Sequence, residues 1–329
     1  METVKIINYV IMVLFFICSS YQFAFIPIAL FGKRKPCGTP KYHRYAVLIA
    51  ARNEETVIGE LLDSLKAQTY PHDMIDIFVA ADNCDDNTAE VAAEHGAAVF
   101  ERFDKEHIGK GYALKFLFEQ KELCEENVYD AYIVFDADNI VATDFIYEMN
   151  KIFSLGFDIV TCCRNSKNYG DNWISAGYSL WFLRESKYLN LARYNIGSSC
   201  AVSGTGFLFS DKILKRCGGW KFFCLTEDIE FTIHNVVNGI KIGYCRDAVL
   251  YDEQPTLFSQ SWKQRKRWAK GYMQVLAKYW RSLLKGVAKG SFSCFDMIMN
   301  IMPTAVLSMT CVGVNLILAL FNILNNEGI

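Results

Sequence analysis

The sequence predicts an α/β fold built on a mostly parallel sheet, flanked by membrane helices and a basic interfacial helix. Three observations carry this expectation. Short apolar runs alternate with segments of helical periodicity from about residue 45 to residue 165, a charge-free apolar run lies toward each end of the chain, and residues 260–290 mix basic and aromatic side chains without a single Asp or Glu. Strands alternating with helices imply parallel strands covered on both faces.

The 329 residues give room for one large domain with accessory elements. Hydrophobic residues make up 52% and charged residues 21%, more apolar than an ordinary soluble domain needs. A net charge of -2 speaks against general attraction to nucleic acid. The twelve cysteines form no CxxC pair and no zinc-type Cys/His spacing, which points to a reduced compartment and away from a disulfide scaffold or a zinc site.

From Ile7 to Phe31 the chain carries no formal charge. As a helix this run is about 37 Å long, enough to cross a hydrocarbon core of about 30 Å. The run from Ile298 to Leu324 is also uncharged and has Pro303 near its start, where a helix in lipid tolerates it. Lys33, Arg34, Lys35, Lys41 and Arg44 follow the first run while only Lys5 precedes it, and Lys285 and Lys289 precede the second while only Glu327 follows. The positive-inside rule then predicts a multi-pass protein of the cell membrane with its N-terminus outside and its middle in the cytosol. The expected organisation is a transmembrane helix at 1–32, a cytosolic domain at 33–258, interfacial helices at 259–296, a second transmembrane helix at 297–324 and a tail at 325–329.

Within the middle, YAVLIA at 45–50 reads as a strand that breaks into the polar ARNEE, and Ile58, Leu61, Leu62 and Leu65 then recur at helical spacing. DIFVAAD at 76–82 is a second buried strand, followed by a turn and a helix that stops at Gly96. AAVFER is a short third strand, and a helix begins at GKGYAL, residues 109–114. AYIVFDADN at 131–139 is the clearest central strand and ends in two carboxylates. Beyond it, FDIVTCCRN at 157–165 reads as a strand, 175–195 as a long helix, and SGTGFLFS at 203–210 as a glycine loop entering a strand.

Ligands of such sheets bind outside the carboxyl ends of the strands. Asn53, Asp82, Asp136 and Asp138 all fall at such ends. Asp136 and Asp138 offer hard oxygen ligands suited to Mg²⁺ or Mn²⁺, which would neutralise a departing diphosphate. Asp82 is placed to accept hydrogen bonds from a base or ribose, whereas Asp85 and Asp86 suit the following turn and helix start. Lys110, between Gly109 and Gly111, can approach a phosphate, although the Walker pattern is absent. Glu227 and Asp228 open an apolar-periodic helix; one suits its dipole and the other can serve as a general base. Gln264, Arg267 and Trp268 share one helix face, with a guanidinium for phosphate and an indole for stacking on a sugar ring.

ARNEE at 51–55, the Asp82 strand end, GKGYAL at 109–114, DAD at 136–138, SGTG at 203–206, TED at 226–228 and the Q-x-x-R-W of Gln264, Arg267 and Trp268 occur in one order. Over roughly residues 44–290 this set resembles the membrane-bound family 2 glycosyltransferases, which include bacterial cellulose, chitin, poly-N-acetylglucosamine and hyaluronan synthases. The resemblance implies a GT-A fold, a nucleotide-diphosphate sugar donor, commonly a UDP-hexose or UDP-N-acetylhexosamine, a Mg²⁺ or Mn²⁺ ion, and inverting transfer. By the same resemblance Asn53, Glu54, Asp82 and Lys110 would surround the nucleotide with the help of Asp136, and Asp138 would coordinate the ion. Asp228, beside Glu227, would be the catalytic base. Gln264, Arg267 and Trp268 would close over donor phosphate and acceptor, with Gly204, Thr205 and Gly206 on the acceptor side.

The acceptor expected first is a growing polysaccharide at the cytosolic membrane face, and the alternative is a single transfer to a lipid-linked acceptor. Synthases of this group carry several C-terminal membrane helices, whereas this sequence offers one apolar run after the domain. Polymer export would then need a homo-oligomer or a pore-forming partner, with membrane lipids as further partners.

Overall fold

The structure is a computed structural model that describes residues 2–32, 40–124, 128–302 and 308–324. Its strands are β1 (Tyr45–Ala51), β2 (Ile75–Asp82), β3 (Ala98–Arg102), β4 (Ala131–Asp136), β5 (Ile140–Val141), β6 (Ile159–Ser166), β7 (Phe207–Ser210) and β8 (Ile242–Asp252). The helices are α1 (Glu2–Phe31), α2 (Ile58–Lys66), α3 (Thr88–Glu94), α4 (Lys110–Phe118), α5 (Lys121–Cys124), α6 (Phe145–Phe153), α7 (Trp173–Arg184), α8 (Leu191–Asn195), α9 (Asp211–Cys217), α10 (Glu227–Val237), α11 (Phe258–Ala288), α12 (Phe292–Met302) and α13 (Ser308–Leu324).

The strands form one sheet in the order β3-β2-β1-β4-β7-β6-β8-β5. β3, β2, β1 and β4 run parallel, β7 runs antiparallel to both its neighbours, and β8 lies parallel to β6 and antiparallel to β5. The period-two pattern of β1 explains the two-layer core. Tyr45, Val47 and Ile49 pack with Ile58, Leu61 and Leu65 of α2 and Phe145 and Met149 of α6. Ala46 and Leu48 face the opposite layer, with Leu114 and Leu117 of α4 and Phe231 and Ile233 of α10. Parallel register pairs Ala51 with Ala81 and Ala50 with Asp136, so the carboxyl ends of β1, β2 and β4 reach one rim together.

The terminal segments depart from expectation. Among the described residues no helix is long and apolar enough to cross a membrane. The two expected spans, and the multi-pass placement with an outside N-terminus derived from them, are corrected accordingly. The carboxyl-terminal half of α1 is docked on protein: Phe25 and Ala29 are buried against Leu189 and Ala192, and Gln22 Oε1 accepts a 2.5 Å bond from Arg184. Tyr21 OH donates to Asp296 at 2.6 Å, and Asp296 in turn holds Arg193 Nε at 2.6 Å, with both charged side chains fully buried. Lys33, Arg34, Lys35, Pro303, Glu327 and the expected tail at 325–329 lie outside the described residues. The basic run expected to lie on a membrane surface is α11. Its inner face, Gly271, Val275, Tyr279 and Leu283, is buried, and Lys263, Arg265, Lys266, Arg267 and Lys270 are exposed.

Candidate active site

A cleft of about 480 Å³ opens at the rim where β1, β2 and β4 end, walled by the starts of α4 and α10 and by parts of α7 and α11. Glu54, Asp82, Lys110, Asp136, Asp138, Gly204, Glu227, Asp228, Gln264, Arg267 and Trp268, all singled out in the sequence, line it. Three others do not. Asn53 is exposed in a left-handed conformation with φ 56°, which Asn tolerates well, and its Oδ1 accepts from the Asp85 N–H at 2.8 Å, tying the loop after β1 to the loop after β2. Thr205 is buried: its Oγ1 accepts from the Asp136 N–H at 2.9 Å and donates to Asn139. Gly206 donates its N–H to Val134 O at 2.8 Å. These contacts hold the end of β4 that carries Asp136 and Asp138.

Charge at the bottom of the cleft is organised in pairs. Lys110 Nζ donates to Asp136 Oδ1 at 2.5 Å and to Gly204 O at 2.8 Å. Burial pulls the Lys110 ammonium down, but Asp136, Glu227 and Asp228 outweigh it and the net shift is upward. Asp82 accepts from Arg102 at 2.6 Å, and Arg102 also donates to Asp104 and to His107 O, both at 2.8 Å. Arg164 donates through Nε to Asp252 at 3.0 Å and through Nη1 to Ser203 O at 2.8 Å, with its guanidinium 3.7 Å from the centre of the Phe182 ring.

Among the described residues Asp138 makes no ion pair of this kind. Its Oδ1 accepts from Asn139 Nδ2 at 3.1 Å, and burial, followed by the carboxylates of Asp252, Asp136 and Glu54, pushes its carboxyl up to about 8. Crowded hard oxygens that resist ionisation fit a divalent cation. Among the described residues no three His, Cys, Asp or Glu side chains converge closely enough to hold an ion by themselves. The chain thus offers Asp138, and phosphate oxygens and water would complete the shell, the usual arrangement for Mg²⁺-type ions at phosphates.

On the opposite wall the first turn of α10 presents Glu227 and Asp228. Asp228 Oδ2 accepts from the Gly204 N–H at 2.7 Å. Burial, then the neighbouring Asp228, pushes Glu227 up to about 8; burial also raises Asp228, against which the Ile229 N–H, Lys110 and the Gly204 N–H work. Both adjacent acids are thereby raised by burial, and only Asp228 is held by the Gly204 N–H. Trp268 meets Tyr178 and Phe182 edge-on, at 5.7 and 6.1 Å between ring centres. Two buried polar atoms beside the cleft, Thr226 Oγ1 and Gln264 Oε1, have no hydrogen-bond partner among the described residues, a costly state unless a ligand supplies one.

Sequence reasoning missed Arg102, Arg164, Glu185 and Asp252. Asp252 ends β8 after an apolar run, the signal that marked Asp82 and Asp136, and Arg164 follows the apolar part of β6.

The family described as glycosyltransferase like family 2 matches residues 43–271. The chain belongs to that family. It is similar to the probable glycosyltransferase YdaM of Bacillus subtilis, 26% identical over 258 residues, 74% of this chain and 58% of that one. It is also similar to the beta-monoglucosyldiacylglycerol synthase of Trichormus variabilis, 28% identical over 277 residues, 79% of this chain and 56% of that one. The chain spans a little over half the length of these curated relatives. Among solved structures, the mannosyltransferase PcManGT from Pyrobaculum calidifontis in complex with GDP-Man and Mn²⁺ shares the fold, with a TM-score of 0.69 over 94% of this chain and 86% of that one at 17% identity. Family 2 and the GT-A-type sheet therefore stand, while the expected membrane-bound class is corrected by the absence of a spanning helix among the described residues.

Proposed function

We propose that this family 2 glycosyltransferase moves a single sugar from a nucleotide-diphosphate sugar to a hydroxyl of a lipid-linked acceptor. The observation that carries the reading is the convergence of Asp138, Lys110 and Asp228 on one cleft from three separate strand and helix ends. Asp82 and Glu54 suit the nucleoside side, and Lys110 and Arg267 suit the diphosphate. Trp268, held by Tyr178 and Phe182, offers an apolar face to a sugar ring. Asp138 would hold the divalent ion, which when bound supplies Lewis-acid stabilisation of the departing diphosphate. Asp228, oriented by the Gly204 N–H, takes the proton from the attacking acceptor hydroxyl. One displacement from the face opposite the leaving group inverts the anomeric carbon and needs no covalent enzyme nucleophile.

A lipid acceptor is supported over a growing polysaccharide by the named relative acting in glucosyldiacylglycerol synthesis. It is supported as well by an apolar groove of about 330 Å³ lined by Trp173, Ile174, Phe258 and Trp262. Ile174 belongs to the same packed cluster as Tyr178, Phe182 and Trp268, so groove and cleft share a wall. The test supplies labelled UDP-glucose, UDP-N-acetylglucosamine or GDP-mannose with Mn²⁺ and micellar acceptors. Label is expected in a one-sugar lipid, and its appearance is expected to cease with EDTA or in Asp138→Ala. Undiminished transfer in EDTA contradicts the metal role, and a water-soluble polymer contradicts the acceptor.

A further inference from the structure

α7 does not pass directly into α8; residues Glu185–Asn190 form a π-helical turn between them. Such turns shift the side chains that follow and occur often at functional sites. Here the first residue of the turn is Glu185, which lines the cleft with Ser203, Gly204, Asp228 and Tyr272. Burial raises its carboxyl. Among the described residues Glu185 receives one side-chain hydrogen bond, from Ser203 Oγ at 3.2 Å, and makes no ion pair. The neighbouring guanidiniums are committed elsewhere, Arg164 to Asp252 and Arg193 to Asp296. A carboxylate can accept about four hydrogen bonds, so half-buried Glu185 keeps acceptor capacity at the cleft.

Its position relative to the proposed base follows from the chain. Ser203 bonds Glu185 and the next residue, Gly204, bonds Asp228, so two consecutive residues hold the two carboxylates on one side of the cleft. Consecutive Cα atoms lie about 3.8 Å apart, so the two anchoring residues are immediate neighbours, and both carboxylates line the same cleft. We propose that Glu185 binds the acceptor: its carboxylate accepts a hydrogen bond from a second hydroxyl while Asp228 serves the reacting one, so that the cleft selects acceptors with vicinal hydroxyls. This deepens the reading of the cleft as a lipid glycosyltransferase site and rests on it.

The test compares octyl β-glucoside and 1-monooleoylglycerol, which carry vicinal hydroxyls, with dodecanol, which carries one, using whichever of the three nucleotide sugars is turned over. The wild type is expected to show a KM for the two polyols roughly tenfold or more below that for dodecanol, the scale of one hydrogen bond to a charged group. Glu185→Gln and Glu185→Ala are expected to raise the polyol KM toward the dodecanol value. Their KM for dodecanol and their UDP affinity by calorimetry should stay within about twofold of wild type. A uniform KM change across all three acceptors, no change, or altered UDP affinity overturns the assignment. The wild-type comparison stands without any variant: equal KM values for polyol and dodecanol also overturn it. UDP binding with no transfer to any of the three overturns the lipid-acceptor reading itself, a distinct result.

Discussion

Gly271→Ala probes how α11 is seated on the catalytic loop. A Cβ at this position would lie 2.6 Å from both Cγ2 and Oγ1 of Thr226 and 2.9 Å from the Thr226 backbone nitrogen. Ordinary carbon contacts need about 3.5–4.0 Å, so α11 and residue 226 must separate by about 1 Å. Replacing Gly with Ala in a helix interior gains about 1 kcal/mol of propensity, whereas overpacking costs about 1–3 kcal/mol. The overpacking term wins because rotating the Thr226 side chain leaves the backbone nitrogen in place. Gln264, Arg267 and Trp268 precede Gly271 by seven, four and three positions and share its face of α11, while Glu227 and Asp228 immediately follow Thr226. The displacement therefore opens the cleft between donor-phosphate and base groups, and about 1 Å of misplacement costs about 10²-fold in rate. Steady-state kinetics should show kcat for transfer down by about that factor with a Tm lower by a few degrees. Adding Thr226→Ala, which deletes two of the three clashing atoms, should restore part of the rate. Wild-type kcat and Tm in Gly271→Ala, or no relief in the double variant, would refute the packing argument.

Other expectations follow from the same geometry. If Asp228 is the base as proposed, Asp228→Asn should lower transfer by roughly 10²–10⁴-fold while calorimetric UDP affinity stays within a few-fold, because that role concerns the acceptor proton and not the nucleotide. Asp296→Ala leaves Arg193 charged and fully buried without its partner, and chemical denaturation should report a loss of about 3–5 kcal/mol. Glu227, with a folded-state value of about 8 against an ordinary 4.5, keeps a proton that the unfolded chain releases. Its contribution therefore makes stability fall as pH rises from about 4.5 to about 8. The decline of Tm over that window should be shallower in Glu227→Gln than in the wild type.

The parallel half of the sheet and its rim were legible because its strands are short apolar runs, two of which end in an acid, Asp82 and Asp136. The pairing of Arg164 with Asp252 was not, since it depends on β6 lying beside β8, a contact between segments far apart in sequence. Thr205 read as part of an acceptor loop, but its hydroxyl turns inward to Asn139 and the Asp136 N–H, a choice made by β4 and not by the SGTG string. Glu185 sits in a segment that scans as an ordinary helix, and nothing in that pattern says that the face carrying Trp181, Phe182 and Glu185 looks into the cleft. The terminal runs were misread for a related reason. Hydropathy reports that a surface is apolar, not what covers it, and Phe25 and Ala29 are covered by Leu189 and Ala192.

The most direct test of the central claim is NMR of the product formed from the preferred nucleotide sugar, Mn²⁺ and octyl β-glucoside. The proposed mechanism predicts one added sugar per acceptor, with the anomeric configuration opposite to that of the donor and one equivalent of nucleoside diphosphate released. A retained configuration, or a ladder of longer products from the purified chain, would contradict it.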